Sequence, residues 1–250
     1  MDYVSVEQAR ELGGLRLVLC AGTPGVWGEA IKAVLAHKKI AYTPVLQEVG
    51  GENCALREWT GQTSAPVIVD ADNRQHILWE SMVLLAEQLA PEPALIPASP
   101  DQRALHFGLL REVAGVEGLG WNRRLQSIAL SGGPSANPVL QRLADKYGYS
   151  EKAVARSEER TVEILLLLSA QLQNHGPYFF GDQLSALDFY TAIFIGVMIN
   201  PLPDDLIPMP KGMRAGFAHP SPAIVEALDS HLLDHRDRMF ERHIQTPLDF

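Results

Sequence analysis

Apolar runs alternate with amphipathic stretches in the first quarter of the chain. Residues 15–19 (LRLVL) and 40–48 (IAYTPVLQE) are rich in aliphatic and β-branched side chains, which is typical of strands. Residues 27–37 repeat apolar side chains at the spacing of one helix face, and a short, less regular helix is expected at residues 54–59. The pattern therefore predicts the order strand, helix, strand, helix.

A proline begins the next predicted strand. Residues 66–70 (PVIVD) are apolar, and Pro66 stands at their start, where a residue without an N–H is tolerated. Residues 71–74 are expected to form a turn and residues 76–79 a second strand, and an amphipathic helix begins at Glu80. The order becomes βαβαββα, which predicts an α/β domain.

Four prolines among residues 90–100 interrupt the pattern, and beyond them it is helical. We expect an α/β domain over residues 13–90, a linker over 91–100 and an all-helical domain over 101–245. Its predicted helices are residues 101–130, 138–147, 150–173, 186–200 and 223–243. Ser185 and Asp188 form an S-x-x-D capping pattern at the start of the fourth, which is apolar nearly all round and therefore expected to be buried.

Composition narrows the class of protein. The chain has 250 residues, of which 46% are hydrophobic, enough for one large core or two smaller ones. Its longest apolar run, residues 192–199, is far shorter than the roughly twenty residues that a membrane-spanning helix needs. A net charge of −9 argues against nucleic acid as a partner. We therefore expect that the protein binds neither a membrane nor a nucleic acid.

Cysteine and histidine give little support for a metal site. Cys20 and Cys54 are too few for a disulfide framework or a four-cysteine metal site, so a cytoplasmic location is expected. His231 and His235 stand four residues apart on the last predicted helix, a spacing that suits a metal, but no third ligand stands out. We expect a solvated helix face there and no bound metal.

Two pairs of residues are the best candidates for binding a small peptide. Pro66 pushes Ala65 toward an extended conformation, in which its N–H and C=O can pair with an extended peptide. If the bond between them is cis, the turn is tighter. A helix that starts near Glu80 and Ser81 presents free N–H groups to a carboxylate, and the Glu80 carboxylate suits an ammonium group. The alternative is that Glu and Ser are simply favourable residues in a first helical turn.

Four motifs together resemble the glutathione transferase superfamily. They are Thr23-Pro24 after the first strand, residues 64–67 (SAPV), residues 79–81 (WES) and residues 180–189 (FGDQLSALDF). The resemblance implies a thioredoxin-like N-terminal domain followed by an all-helical domain. It also implies glutathione as co-substrate, a homodimer and a role in detoxification. Ala65, Pro66, Glu80 and Ser81 then become the residues that bind glutathione.

The resemblance places the chemistry in the loop after the first strand. Thiol transfer needs a stabilised thiolate, and the thiol-disulfide members of this fold have a cysteine directly before the proline of this loop. Here that position is Thr23, which can donate its hydroxyl to a bound thiolate and favours transferase chemistry. Cys20 is a second candidate, although cysteine at the end of an apolar strand is usually a small buried hydrophobe. Other hydroxyl groups or backbone N–H groups that could donate to the thiolate are a third candidate.

An acceptor pocket is expected between the domains, against the first helix after the linker. Its candidate residues are His106, Arg111, Trp121, Arg123 and Arg124. An aromatic ring beside two arginines can hold an acidic or aromatic acceptor, but solvated charges beside a core tryptophan explain the same pattern. The expected function is transfer of the glutathione thiolate to a small electrophile. The alternative is a non-catalytic binding or scaffolding protein with this fold.

Overall fold

A small mixed sheet with helices on both faces forms the N-terminal part of the protein. The computed structural model describes residues 1–218 and 220–250. The elements up to residue 89 are α1 (Val6–Glu11), β1 (Arg16–Cys20), α2 (Val26–His37), β2 (Thr43–Gln47), α3 (Cys54–Thr60), β3 (Val67–Val69), β4 (Gln75–His76) and α4 (Trp79–Leu89). The predicted order βαβαββα is confirmed, with shorter strands than predicted.

The strand order is β2-β1-β3-β4, with β1 parallel to β2 and antiparallel to β3, which is antiparallel to β4. Side chains of β1 alternate between the two faces because strand side chains repeat every second residue. Leu17 and Leu19 belong to the large core shared with α2, α4 and the helical domain, whereas Val18 packs on the opposite face with α1 and α3. Helix α1 was not predicted, although Ser5 and Gln8 form a capping box at its start.

The rest of the chain is helical. Its elements are α5 (Pro100–Ala114), α6 (Leu119–Leu130), α7 (Pro138–Tyr147), α8 (Glu151–His175), α9 (Ala186–Phe194), a π-helical turn (Ile195–Ile199), α10 (Lys211–Phe217), α11 (Pro222–Ala227) and α12 (Ser230–Arg242). A short 3₁₀ turn, Pro134–Ala136, precedes α7. In the part of the chain that the structure describes, no helix is both long and apolar enough to cross a bilayer.

The prediction of one long helix over residues 101–130 was wrong, because α5 and α6 are separate helices. A Cβ atom on Gly115 would lie 2.7 Å from the carbonyl oxygen of Arg111, and one on Gly118 would lie 2.7 Å from that of Glu112. Glu117 adopts a left-handed conformation with φ of 60°. The backbone at residues 115–118 therefore turns too tightly for a continuous helix. Glycine allows this turn because it has no Cβ atom.

The C-terminal helices also differ from the prediction. Residues 223–243 form two helices, because the Asp229 side chain accepts a hydrogen bond from the N–H of Leu232 and thereby caps α12. The predicted loop over residues 201–222 contains α10. Helix α4 ends at Leu89 and α5 begins at Pro100, while the division into residues 13–90, 91–100 and 101–245 stays a prediction.

Asp188 lies at the centre of the helical domain. The predicted capping box is present: its carboxylate accepts hydrogen bonds from the N–H of Ser185 at 2.8 Å and from the Ser185 hydroxyl at 2.7 Å. It also accepts from the N–H of Phe179 at 3.1 Å, and Nε2 of His235 lies 2.9 Å away. His235 is fully buried, so the expectation of a solvated face at that residue was wrong.

Candidate functional site

A cleft of about 620 Å³ lies where the end of β1 and the start of α2 face the helical domain. We call its two sides the sheet-side wall and the helical wall. The sheet-side wall consists of lining residues from the N-terminal domain, among them Cys20, Thr23 and Ala65. The helical wall consists of the lining residues Arg124, Val139, Arg142, Leu143, Asp145, Lys146, Tyr147 and Met213.

The start of α2 opens onto this cleft. The first helical hydrogen bond within α2 runs from the N–H of Glu29 to the carbonyl of Gly25, and the N-cap residue Gly25 offers no side-chain acceptor. The N–H groups of the first turn are therefore available to an anion, which the helix dipole also favours. Thr23 lies half-buried two residues before Gly25 and lines the cleft. The predicted catalytic residue thus stands beside a helix N-terminus.

Cys20 lines the same cleft but is a poor nucleophile. Burial raises the pKa of its thiol, and the positive charges of Arg124 and Lys146 offset only part of this effect. Its Sγ packs closely against Gly25, since a Cβ atom there would lie 3.1 Å from the sulfur. A thiol with a raised pKa is mostly protonated at neutral pH. The geometry therefore favours the view of Cys20 as a small packed side chain.

Ala65 presents free backbone groups to the cleft. The ladder between β1 and β3 ends at the pair Val18 and Val67, so Ala65 lies beyond it. Neither its N–H nor its C=O has a hydrogen-bond partner among residues 1–218 and 220–250. The peptide bond between Ala65 and Pro66 is cis. Ala65 itself lies in a bend rather than in the extended conformation that the sequence predicts, but its unpaired backbone groups are available to hydrogen-bond a peptide.

Glu80 and Ser81 lie at the start of α4, whose N-cap residue Leu78 supplies no side-chain acceptor. The Ser81 hydroxyl donates a hydrogen bond of 2.7 Å to the carbonyl of Leu78. One carboxylate oxygen of Glu80 is buried without a hydrogen-bond partner among the described residues. Burial raises the pKa of the Tyr190 phenol, and the negative charge of Glu80 raises it further. The start of α4 is thus a second uncapped helix N-terminus.

The structure brings only part of the predicted site into one cleft. Of the five predicted site residues, Thr23 and Ala65 line it. Pro66, Glu80 and Ser81 are not among the lining residues that the described part of the chain supplies.

The helical wall is positively charged. Arg124 on α6 and the pair Arg142 and Lys146 on α7 line it, against the single carboxylate of Asp145. The Lys146 ammonium donates a hydrogen bond of 3.0 Å to the hydroxyl of Ser64, which belongs to the opposite wall. The Arg142 guanidinium donates to the carbonyl of Gly50, also opposite. Both side chains therefore reach across the cleft.

Of the residues predicted to form the acceptor pocket, only Arg124 is among those that line the cleft. Trp121 donates to the carbonyl of Tyr147 at 3.0 Å, and the Arg123 side chain is buried and donates to the carbonyl of Met198 at 2.9 Å. Burial lowers the pKa of Arg123 to about 10 and that of His106 to about 4. The fifth candidate, Arg111, is exposed. Arg123 is therefore neither a solvated charge, as one interpretation expected, nor a lining residue of this cleft.

Sequence reasoning missed Arg142 and Lys146. The two stand four residues apart on α7 and therefore share a helix face, which is the only signal that the sequence contains for them. That signal alone does not distinguish a cleft wall from a solvated helix face. Their role depends on where α7 packs.

Trp27 joins the two walls. Its indole N–H donates a hydrogen bond of 2.8 Å to the carbonyl of Ala114, at the end of α5. Its ring packs edge-on against Phe194 at 5.1 Å between centroids and lies 6.3 Å from Tyr147. Gly120 on α6 is in contact with this group, because a Cβ atom there would overlap the Phe194 ring. Trp27 thus packs α2 closely against the helical domain at the edge of the cleft.

The described residues contain no cluster of three or more histidine, cysteine, aspartate or glutamate side chains in a metal-binding arrangement.

Solved structures identify the fold. No family model matches the chain, and no curated protein sequence matches it. A glutathione transferase from Methylobacillus flagellatus with glutathione bound is 13% identical, with a TM-score of 0.67 over 91% of this chain and 95% of that one. Glutathione transferase Omega 3C from Trametes versicolor is 17% identical, with a TM-score of 0.61 over 98% and 90%. A glutathione transferase from Methylobacterium radiotolerans, in complex with glutathione sulfonate, is 16% identical, with a TM-score of 0.57 over 94% and 97%.

These likenesses extend over both domains. The chain therefore has the two-domain fold of the glutathione transferases, a thioredoxin-like domain followed by a helical domain.

Proposed function

We propose that this chain binds glutathione in the cleft and transfers its thiolate to an electrophilic small molecule, as a glutathione transferase does. The observation that carries the proposal is the unpaired backbone of Ala65 in a cleft that also contains the uncapped start of α2. Two solved structures with the same fold hold glutathione or its sulfonate. The fold alone is compatible with many functions, so the site geometry has to carry the assignment.

Each predicted residue has a role suited to one part of glutathione. The N–H and C=O of Ala65 pair with the backbone of the cysteinyl residue, and Pro66 holds Ala65 in position. The uncapped start of α4 and the Ser81 hydroxyl bind the carboxylate of the γ-glutamyl group, because a helix N-terminus favours an anion. The Glu80 carboxylate binds the neighbouring ammonium group.

Thr23 and the start of α2 stabilise the thiolate. The Thr23 hydroxyl donates a hydrogen bond to the sulfur, and the free N–H groups of α2 provide further positive potential. The sulfur then forms a bond to an electrophilic carbon while the bond from that carbon to its leaving group breaks. The leaving group departs with the electron pair of that bond, and the proton of the thiol goes to solvent.

A non-catalytic binding or scaffolding protein is the second candidate. It is favoured by the inward position of the Glu80 carboxylate and by the bond that the Ser81 hydroxyl already makes to the carbonyl of Leu78. In that case the fold is retained and glutathione does not bind.

Isothermal calorimetry with glutathione separates the two candidates. The wild-type protein is expected to bind; absence of binding would rule out the enzyme. Ser81→Ala is expected to weaken binding about tenfold, since it removes a hydrogen bond to a charged group. Ser135→Ala is the matched control, because Ser135 is exposed and is not among the residues that line the cleft.

Thr23→Val tests the chemical role. It is expected to leave the affinity for glutathione unchanged and to reduce turnover of a chloronitrobenzene acceptor by at least tenfold, because the donor to the thiolate is lost. Unchanged turnover would assign activation of the thiol to the backbone of α2 or to another donor.

A homodimer and a cytoplasmic location belong to the same proposal and rest on the resemblance. Ile77 and Leu78, which connect β4 to α4, are 45% and 60% exposed and provide apolar surface for a second copy. Light scattering on the purified protein gives the mass of the assembly directly, and a monomer at all concentrations would contradict the dimer.

A further inference from the structure

The charge of the cleft is opposite to that of the whole chain. The protein has a net charge of −9, yet the helical wall has three cationic side chains and one carboxylate. None of these three cations forms an ion pair within residues 1–218 and 220–250, and the carboxylate of Asp145 instead accepts a hydrogen bond of 2.8 Å from Gln141. A cleft with uncompensated positive charge attracts anions.

Of the three cationic side chains, Arg124 has the fewest hydrogen-bond partners. No hydrogen bond from its guanidinium is present among the described residues, and its Nε atom is shielded from solvent without a partner. The group lies over the ring of Phe217, 5.5 Å from the ring centroid, which holds it in place and leaves its other donors free. A shielded donor without an acceptor is costly, and an oxygen of a bound ligand removes that cost.

The positive charges act close to the reacting sulfur. Arg124 and Lys146 both influence the Cys20 thiol, three residues from Thr23, even though burial outweighs them there. The Lys146 ammonium is bonded to Ser64, the residue next to Ala65. Arg124 and Lys146 thus line the same cleft as Thr23 and Ala65, where the acceptor meets the sulfur on the proposed function, whereas the γ-glutamyl carboxylate is assigned to the start of α4.

We propose that the acceptor is an organic anion whose carboxylate is bound by Arg124 and Lys146. This inference rests on the proposed glutathione transfer and adds the substrate class to it. A guanidinium binds a carboxylate through two parallel hydrogen bonds, and an ammonium adds a third contact. The carboxylate fixes the acceptor so that its electrophilic carbon faces the sulfur, which is the orientation that transfer needs.

A chloronitrobenzoate and its methyl ester test the substrate class, because the ester lacks the negative charge but keeps the same leaving group and site of attack. In both, the thiolate sulfur forms a bond to the ring carbon, the carbon–chlorine bond breaks, and chloride leaves with the electron pair. The readout is the ratio of kcat/KM for the acid to that for the ester at saturating glutathione, after each value is divided by the rate constant of the uncatalysed reaction of that acceptor with glutathione. We expect the wild-type protein to prefer the acid, with a preference that decreases as salt is added.

Arg124→Gln is expected to reduce this ratio about tenfold, and Lys146→Gln a few-fold, because a charge-assisted hydrogen bond is lost in each. Lys146→Arg is expected to retain the preference, since the charge remains. Arg74→Gln is the matched control, because that side chain is 75% exposed and is not among the residues lining the cleft. If Arg124→Gln fails to fold, the comparison of Lys146→Gln with Lys146→Arg still tests the proposal.

The outcomes separate this inference from the proposed function. If glutathione binds and the ester is turned over, but the ratio is near one and unchanged in the variants, transfer stands and the anionic acceptor is overturned. The same holds if the variants raise only the KM for glutathione, since the cations then bind the tripeptide itself. If neither acceptor is turned over and glutathione does not bind, the proposed function fails.

Discussion

The two walls of the cleft present different kinds of polar group. The sheet-side wall offers backbone groups: the uncapped start of α2 and the free N–H and C=O of Ala65. The helical wall offers the side chains of Arg124, Arg142 and Lys146. Backbone recognition depends on where a strand or helix ends and tolerates many sequences, whereas side-chain recognition changes with single substitutions. On the proposed function, the sheet-side wall binds the cysteinyl part of glutathione through main-chain groups and the helical wall binds the acceptor through side chains.

Loss of Asp188, which lies outside both walls but holds the buried network of the helical domain together, is expected to have the largest effect on stability. Asp188→Ala removes the acceptor for three donors and the partner of His235, all buried. We expect the free energy of unfolding to decrease by about 3–5 kcal/mol, as for other buried networks that lose a charged member. Denaturant unfolding measures it. Asp182→Ala, at an exposed residue shortly before α9, is the control and should change stability by less than about 0.5 kcal/mol.

A change at Gly120 is expected to separate the walls without removing a polar group. A methyl group at Gly120 would overlap the Phe194 ring and lie 3.0 Å from the Trp27 indole. We expect Gly120→Ala to lower stability by about 1–3 kcal/mol, the usual cost of overpacking, and to weaken acceptor turnover more than glutathione affinity.

Gly108→Ala is the matched control, since α5 leaves nothing within 4 Å of the new methyl group. It is expected to stabilise the protein by roughly 0.5–1 kcal/mol because alanine favours a helix. Equal loss of stability in the two variants would show that Gly120 does not set the contact between the walls.

The smallest expected effect concerns the cysteines. Because burial raises the pKa of Cys20, iodoacetamide is expected to alkylate the exposed Cys54 faster than Cys20 at neutral pH. The alkylation rate of Cys20 is expected to increase as the pH rises toward the pKa of its thiol. Arg124→Gln removes a positive charge that lowers this pKa, so it should slow Cys20 a few-fold further. Mass spectrometry of the labelled peptides measures both rates. Faster labelling of Cys20 would restore it as a nucleophile.

Much of the fold was predictable because local rules decide it. The position of Pro66, the capping pattern of Ser185 and Asp188, and the apolar periodicity of α2 and α9 each depend on neighbours in the sequence. The break between α5 and α6 was not predicted, because Gly115 and Gly118 are equally compatible with a weakened helix. The break between α11 and α12 was also not predicted, because Asp229 was not recognised as the N-cap of α12.

The sequence by itself determined the βαβαββα order of the N-terminal part, the proline directly before β3 and the thioredoxin-like motifs, since these are set by residues a few positions apart. Only the tertiary structure decided which charged side chains share the cleft. Arg124 and Arg123 are neighbours in sequence, yet one lines the cleft and the other is buried against Met198. Adjacent residues on a helix point about 100° apart, so the packing of α6 and α7 against the sheet selects the functional side chains.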